Sequence, residues 1–276
     1  MDLDLRKLRY FVAVAEHQHF GRAAEQLYIA QPVLSRQIRS LERDLGCTLF
    51  VRTTRSVELT PAGQKLFDEA HGVLASVDSV VRRVHEVDRG VQRLVVAFTP
   101  GLHVSPAIRE FGTLHPDVQI ELFQSKWWEQ DAPLRDGRAD VGYLRRPFDD
   151  AGLRTVTIGC ESKVACLPVT HPLARRKKLR MADLDGEFIL DAQTRRTSSV
   201  EEKFELIASG HGIALVPRTV AESYSRADLV NLPVTDLDPV ETCVAMAKGR
   251  RERAVRDFFD AAARTLGAQR RLAAVE

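Results

Sequence analysis

At 276 residues the chain is long enough for two or more domains, and its 44% hydrophobic content supports packed cores. It contains no run of about 18 apolar residues, and its first residues, MDLDLRKLRY, carry no apolar segment, so neither a membrane span nor a signal peptide is expected and a cytoplasmic location follows. A net charge of only +2 excludes a polycation that coats nucleic acid indiscriminately, and Cys47, Cys160, Cys166 and Cys243 fit neither a zinc site nor a CxxC motif.

Residues 20–46, FGRAAEQLYIAQPVLSRQIRSLERDLG, read as two short helices joined at Tyr28-Ile29-Ala30. Phe20, Ala23, Ala24 and Leu27 share one face of the first helix, and the two alanines let a second helix approach closely. In the second helix Leu34, Ile38, Leu41 and Leu45 point inward. Pro32, Ser35, Arg36, Arg39 and Arg43 fall on the opposite side. Pro32 suits a first turn, where its missing N–H costs little, and Gly46 stops the helix. First-turn side chains of such a helix can reach base edges: Gln31 can pair bidentately with adenine and Arg36 with guanine, while Arg39 can clamp a phosphate. The plain alternative is a helical pair with a solvated charged face.

Residues 48–51 and 57–59 are short strand-like runs around Arg52-Thr-Thr-Arg-Ser56, a β-wing whose Arg52 and Arg55 suit phosphates or a narrow minor groove. From Arg36 to Arg55 five arginines face Glu42 and Asp44, a local balance of +3 that exceeds the balance of the whole chain. The positive charge is therefore local, as direct DNA recognition requires.

The run LRKLRYFVAVAEHQHFGRAAEQLYIAQPVLSRQIRSLERDLGCTLFVRTTRSVELTPAGQKL closely resembles the N-terminal winged helix-turn-helix of LysR-type transcriptional regulators. The resemblance implies base contacts by Gln31, Pro32, Ser35 and Arg36, with wing contacts at Arg52 and Arg55. One departure is Ala30, where the family often has a capping serine; losing that cap costs about 1 kcal/mol and leaves the contact face intact.

Thr60-Pro61 is a helix start. Leu66, Ala70, Val73, Val77, Val80, Val84 and Val87 then step by four and three, a narrow apolar stripe among charged residues. A two-chain seam is favoured over packing on the chain's own core. A dimer would set two recognition helices on a dyad-symmetric operator. The resemblance implies the same pairing, with two dimers joined into a tetramer.

Beyond Gly90 strand and helix patterns alternate. Strands are expected at residues 94–98, 118–123, 141–143, 153–158, 162–167, 188–190, 213–216 and 242–247. Helices are expected at 105–115, 131–136 and 200–209. The opening βαβαβ series suggests a parallel sheet with ligands near the strand carboxyl ends. The family resemblance continues through TPGLHVSPAIREFGTLHPDVQIEL, LRDGRADVGYLRRP, HPLA, DLDGEFIL and VEEKFELIASGHGIALVP, covering roughly residues 4–266. It implies a periplasmic-binding-protein-like pair of subdomains with a small-molecule effector in the cleft between them.

Effector contacts are expected from the loop Thr99-Pro100-Gly101-Leu102-His103, where unpaired N–H groups beside a helix start favour a carboxylate or other anion. Trp127 and Trp128 follow the second strand and cannot both face one core, so at least one could stack on an aromatic effector; the alternative is that both serve packing. Tyr143 and Arg145 could hydrogen-bond and pair with an acid, or Arg145 could form an ordinary ion pair. Only about six residues, 191–196, separate segment 188–190 from Thr197, whereas a parallel crossover needs a dozen or more. A reduced second subdomain follows, with Ser198 and Ser199 brought nearer the ligand. Cys160 and Cys166 are close enough in sequence to suggest a redox switch, but no basic residue flanks Cys166. The basic run Arg175-Arg176-Lys177-Lys178-Leu179-Arg180 reads as a solvated loop.

The expected fold is α/β overall. Residues 1–60 form an all-α winged helix-turn-helix and 61–90 a long dimerisation helix. Residues 91–268 form a two-subdomain effector domain (91–161 with 236–268, and a shortened 162–235). No GxSxG, HExxH, P-loop or GxGxxG motif appears. The expected function is therefore an effector-controlled, sequence-specific transcriptional regulator rather than an enzyme. Neither cofactor nor catalytic or metal site is expected. The expected partners are double-stranded operator DNA, a carboxylate or aromatic acid and further copies of the chain, with RNA polymerase left open and no membrane.

Overall fold

The computed structural model describes residues 3–52, 57–90, 92–190, 197 and 199–273. The chain divides into two compact units, Met1–Val84 and His85–Glu276.

In the first unit Asp4 caps α1 (Leu5–His17) by accepting from the backbone N–H of Arg6. The next two helices are α2 (Phe20–Gln26) and α3 (Gln31–Leu45). Their apolar faces meet in one core with Leu8, Phe11, Ala23, Ala24, Leu34, Ile38 and Leu41, so the helical spacing translates directly into packing. Ala30 supplies no side-chain cap to α3. That loss is small beside the burial of three aliphatic side chains, each contributing about 1.5–3 kcal/mol. The turn between α2 and α3 places Tyr28 at φ +54, a conformation that strains a bulky L residue by roughly 1–2 kcal/mol.

Strands β1 (Phe50–Arg52) and β2 (Val57–Leu59) pair antiparallel as the wing. The wing tip, with Arg55, lies outside the described residues. Helix α4 (Pro61–Asp88) opens where the Thr60 hydroxyl accepts from the Gly63 N–H at 2.9 Å. A Cβ at Gly63 would stand 2.1 Å from the Leu49 carbonyl oxygen, so only glycine allows α4 to touch that strand entry. The apolar stripe of α4 serves two purposes. Ala70 and Leu74 are buried in the unit's own core, with Leu66 packed against it, whereas Val73, Val80, Val81 and Val84 are exposed. The expectation of a two-chain seam from Leu66 onward thus needs correcting: the early turns pack within the chain and the later ones are left open.

The second unit contains β3 (Arg93–Phe98), α5 (Ser105–Leu114), β4 (Gln119–Gln124), α6 (Ala132–Arg135), β5 (Val141–Arg145) and β6 (Leu153–Glu161). It continues with β7 (Lys163–Pro168), α7 (Val200–Ala208), β8 (Ala214–Pro217), α8 (Arg218–Ser223) and β9 (Leu229–Pro233), and closes with β10 (Val240–Ala247) and α9 (Arg253–Ala273). A five-stranded sheet runs β4-β3-β5-β10-β6 and a three-stranded sheet β8-β7-β9. The expected parallel arrangement holds for β4, β3 and β5 alone. β10 is antiparallel to both β5 and β6, because the chain leaves for the second sheet after β6 and re-enters between those strands in the opposite direction. The second sheet is antiparallel throughout.

Segment 188–190 does not form a strand. Ile189 makes a single parallel bridge to Ile213, and Gly212 lies so close to Phe188 that an added Cβ would stand 2.6 Å from its carbonyl oxygen. The short connection 191–196 lies outside the described residues. Helices α5 and α9 cover the five-stranded sheet through Phe111, Val255, Phe258 and Phe259. Among the described residues no helix is long and apolar enough to cross a membrane.

Candidate DNA-reading face and effector cleft

The outer face of α3 carries Gln31, Pro32, Arg36, Arg39 and Arg43 exposed, with Ser35 half-buried between them. The helix also holds two carboxylates, and both are engaged elsewhere. Asp44 pairs with Lys7 of α1 at 2.7 Å, and Glu42 accepts from the backbone N–H of Leu49 at 2.9 Å. Arg36, Arg39 and Arg43 have no ion-pair partner among the described residues, so the face keeps its positive charge. Arg36, Arg39 and Arg43 also border one open hollow with Cys47 and Thr48. Arg43 and Thr48 were not singled out from sequence as contacts; the turn after Gly46, which folds Thr48 back beside α3, is what joins them. Arg52 ends β1, and Arg55 lies outside the described residues.

In the second unit a cavity of about 520 Å³ opens between the two sheets. Its walls include Thr99, Trp127, Trp128 and Arg145 from the sequence expectation, together with Arg146, Phe148, Lys163, Ile189, Leu190, Lys203 and Val216. The tryptophan rings meet edge to face at 5.5 Å. The Lys203 ammonium stands 5.0 Å from the centre of the Trp127 ring, a cation–π contact reaching from α7 to the loop after β4. Lys163, at the start of β7, has no ion pair among the described residues. The cavity therefore offers aromatic walls together with the cations of Lys163 and Lys203.

Arg145 borders this cavity, but its guanidinium already has protein partners. It forms an ion pair with Glu161 and donates to Thr99 Oγ1 at 2.9 Å, to the Pro100 carbonyl at 2.7 Å and to Thr219 Oγ1 at 2.9 Å. Thr219 in turn donates to Glu161. Burial lowers the Arg145 pKa, and the adjacent Glu161 carboxylate opposes that shift. Of the two expectations for Arg145, the ion pair is the one present: the guanidinium ties the end of β5, the 99–100 loop and α8 together. Thr99 is likewise buried with its hydroxyl accepting from Arg145.

Five other expected contacts among the described residues do not line the cavity. Tyr143 is fully buried among Val96, Phe111 and Phe258, because alternation along β5 turns it toward the helices; burial also raises its phenol pKa. Gly101 faces α8, where an added Cβ would lie 2.7 Å from the Val220 nitrogen. Leu102 packs on the α5–α9 core, and His103 is exposed. Ser199 caps α7 by accepting from the Glu202 N–H at 3.1 Å and borders a smaller 180 Å³ hollow beside the tryptophans. Ser198 lies outside the described residues. Cys166 is buried in the core and its thiol is pushed up to about 12 by that burial, so it is a poor partner for redox exchange with exposed Cys160.

Similarity to known proteins follows the same two-part division. Residues 5–64 match the family described as bacterial regulatory helix-turn-helix protein, lysR family. Residues 85–191 and 189–267 match the LysR substrate binding domain in two parts that overlap at residues 189–191. The HTH-type transcriptional regulator YnfL of Escherichia coli is 35% identical over 237 residues, 84% of this chain and 80% of its own length. The Hca operon transcriptional activator HcaR of Escherichia coli is 31% identical over 285 residues, 93% of this chain and 96% of its own length. The crystal structure of full-length CbnR complexed with its target DNA shares the fold, with a TM-score of 0.61 at 24% identity over 95% of this chain and 100% of that one.

Proposed function

The chain belongs to the LysR family of bacterial regulatory helix-turn-helix proteins, and from that premise we propose which of its residues read operator DNA and which receive the effector. The chain is a DNA-binding transcriptional regulator with an effector-binding domain. Gln31, Pro32, Ser35 and Arg36 read base edges, Arg39 and Arg43 hold phosphates, and Arg52 and Arg55 reach the backbone or minor groove from the wing. The observation that carries this reading is the unneutralised arginine face of α3, whose carboxylates are both held by other elements.

Two copies joined along α4 present two such helices to a dyad-symmetric site; the exposed valines Val73, Val80, Val81 and Val84 support that seam. The effector enters the 520 Å³ cavity. An aromatic or aliphatic carboxylate fits its chemistry, with Trp127, Trp128 and Phe148 against the flat part and Lys163 and Lys203 near the charge. The cleft binds this molecule without turning it over, and DNA as the partner supports a cytoplasmic location.

Two measurements test the proposal. Selection from a random duplex pool should enrich a two-half-site motif; an unenriched pool would refute sequence-specific reading. Tryptophan fluorescence should respond to the true ligand in a panel of aromatic and aliphatic acids, with the ligand recovered unchanged. Conversion of that ligand to product would overturn the non-catalytic assignment.

A further inference from the structure

Two helices of the DNA-reading unit end in the same hydrogen-bond pattern with different residues at its pivot. After α3, the Gly46 N–H donates to the Arg43 carbonyl and the Cys47 N–H to the Glu42 carbonyl, with Gly46 at φ +71. After α2, the Tyr28 N–H donates to the Glu25 carbonyl and the Ile29 N–H to the Ala24 carbonyl, with Tyr28 at φ +54. Both are left-handed helix stops that satisfy the last carbonyls. Glycine adopts that conformation freely, whereas a bulky side chain adopts it under strain. At Gly46 nothing lies within 4 Å of an added Cβ, so glycine is there for conformation and not for space. The α2 stop has the same requirement and carries tyrosine instead. Gln18 is also left-handed, at φ +48 after α1, but it is a polar, unbranched side chain.

Among the described residues of the unit, no ring or hydrogen-bond partner compensates that choice. Tyr28 is 95% exposed, the largest exposure of any large hydrophobic side chain among the described residues. Among those residues its ring stacks on no other and its hydroxyl has no hydrogen-bond partner. Strain of this kind persists where function holds it.

The position of Tyr28 indicates the function. Ile29 packs into the core, Ala30 precedes α3, and Gln31 is the first residue of that helix. Three residues span at most about 11 Å. A helix whose first turn enters a major groove roughly 12 Å wide has backbone phosphates within that reach. Tyrosine hydroxyls are among the groups that donate to such phosphates. We propose that Tyr28 is an additional operator-contact residue: its phenol donates a hydrogen bond to a DNA phosphate beside the groove that α3 enters and so fixes the helix in register. The contact carries no base information. The phenol is neutral and releases no counterion, so it leaves the salt dependence of binding unchanged, unlike an arginine contact.

The test uses the full chain, a duplex enriched by the wild-type protein from a random pool, and every single-base variant of that duplex. Tyr28→Phe should bind all of them about three- to tenfold more weakly, with base preferences and salt slope unaltered. Tyr28→Gly should melt above the wild type and yet bind no better than Tyr28→Phe. Wild-type affinity in both variants overturns the proposal, as does a loss confined to one base position. If the wild type enriches no motif, the base-reading role of α3 fails separately, and Tyr28→Phe must still lose three- to tenfold on a duplex of arbitrary sequence. Unchanged binding there also overturns the phosphate contact.

Discussion

The arginines of α3 and the arginine bordering the cavity between the two sheets have opposite fates. On α3, Arg36, Arg39 and Arg43 stay exposed while the neighbouring carboxylates, Glu42 and Asp44, are held by Leu49 and Lys7. At the cavity, Arg145 is buried and bound to Glu161, Thr99, Pro100 and Thr219. The first arrangement leaves charge available to a partner; the second uses charge to join segments of one unit. A cation bordering a cavity is therefore not by that alone a ligand contact: Arg145 is already claimed by four protein groups.

Removing one member of each set should separate these roles. The largest effect is expected for Arg145→Ala, which leaves the largely buried Glu161 carboxylate without its cation and should destabilise the protein by about 3–5 kcal/mol. Replacing Arg145 and Glu161 together with apolar residues of similar size should recover much of that loss. Denaturant unfolding of the single and double variants decides the matter, and an Arg145→Ala protein as stable as wild type would show that the pair holds nothing. Arg36→Ala should leave the unfolding midpoint unmoved while losing roughly 1–3 kcal/mol of binding at one base position.

The same contrast explains what was legible in the sequence. Residues 20–46 could be read almost completely because helix periodicity fixes which side of α3 each residue faces, and the structure buries Leu34, Ile38 and Leu41 as that period requires. The cavity depends on chain topology. Tyr143 could be placed near the end of a strand, but the face it occupies follows from the pleat and from which side α5 and α9 cover. Lys163 and Lys203 come to the cavity from β7 and α7, 40 residues apart in sequence, and no local pattern joins them. The mixed direction of the five-stranded sheet was also hidden, because the insertion of β10 between β5 and β6 is a long-range event. The Trp127-Trp128 pair was legible: two adjacent large rings cannot share one core, and both border the cavity.

Smaller effects sharpen the contrast further. Ala30→Ser supplies the cap that α3 lacks and should stabilise the first unit by about 1 kcal/mol, seen as a higher melting temperature. An unchanged or lower temperature would mean that the serine hydroxyl does not reach the first-turn N–H groups. Lys203→Met removes the cation over Trp127 and should weaken a carboxylate ligand by about 0.5–1 kcal/mol or more, with little change in folding. Last, burial raises the Cys166 pKa to about 12, which keeps the thiol protonated at pH 8. In the native protein at that pH a thiol reagent should modify Cys47 and Cys160 and spare Cys166 until the chain unfolds. Early labelling of Cys166 would contradict its burial.

Base reading by α3 is the assignment on which the others depend. The most direct measurement is the affinity of wild-type and Arg36→Ala protein for an enriched operator and for each of its single-base variants. The expected result is a preference lost at one position in each half-site and kept elsewhere. A uniform loss across all duplexes would mean that Arg36 holds only phosphate, and the assignment of base reading to this face of α3 would be wrong.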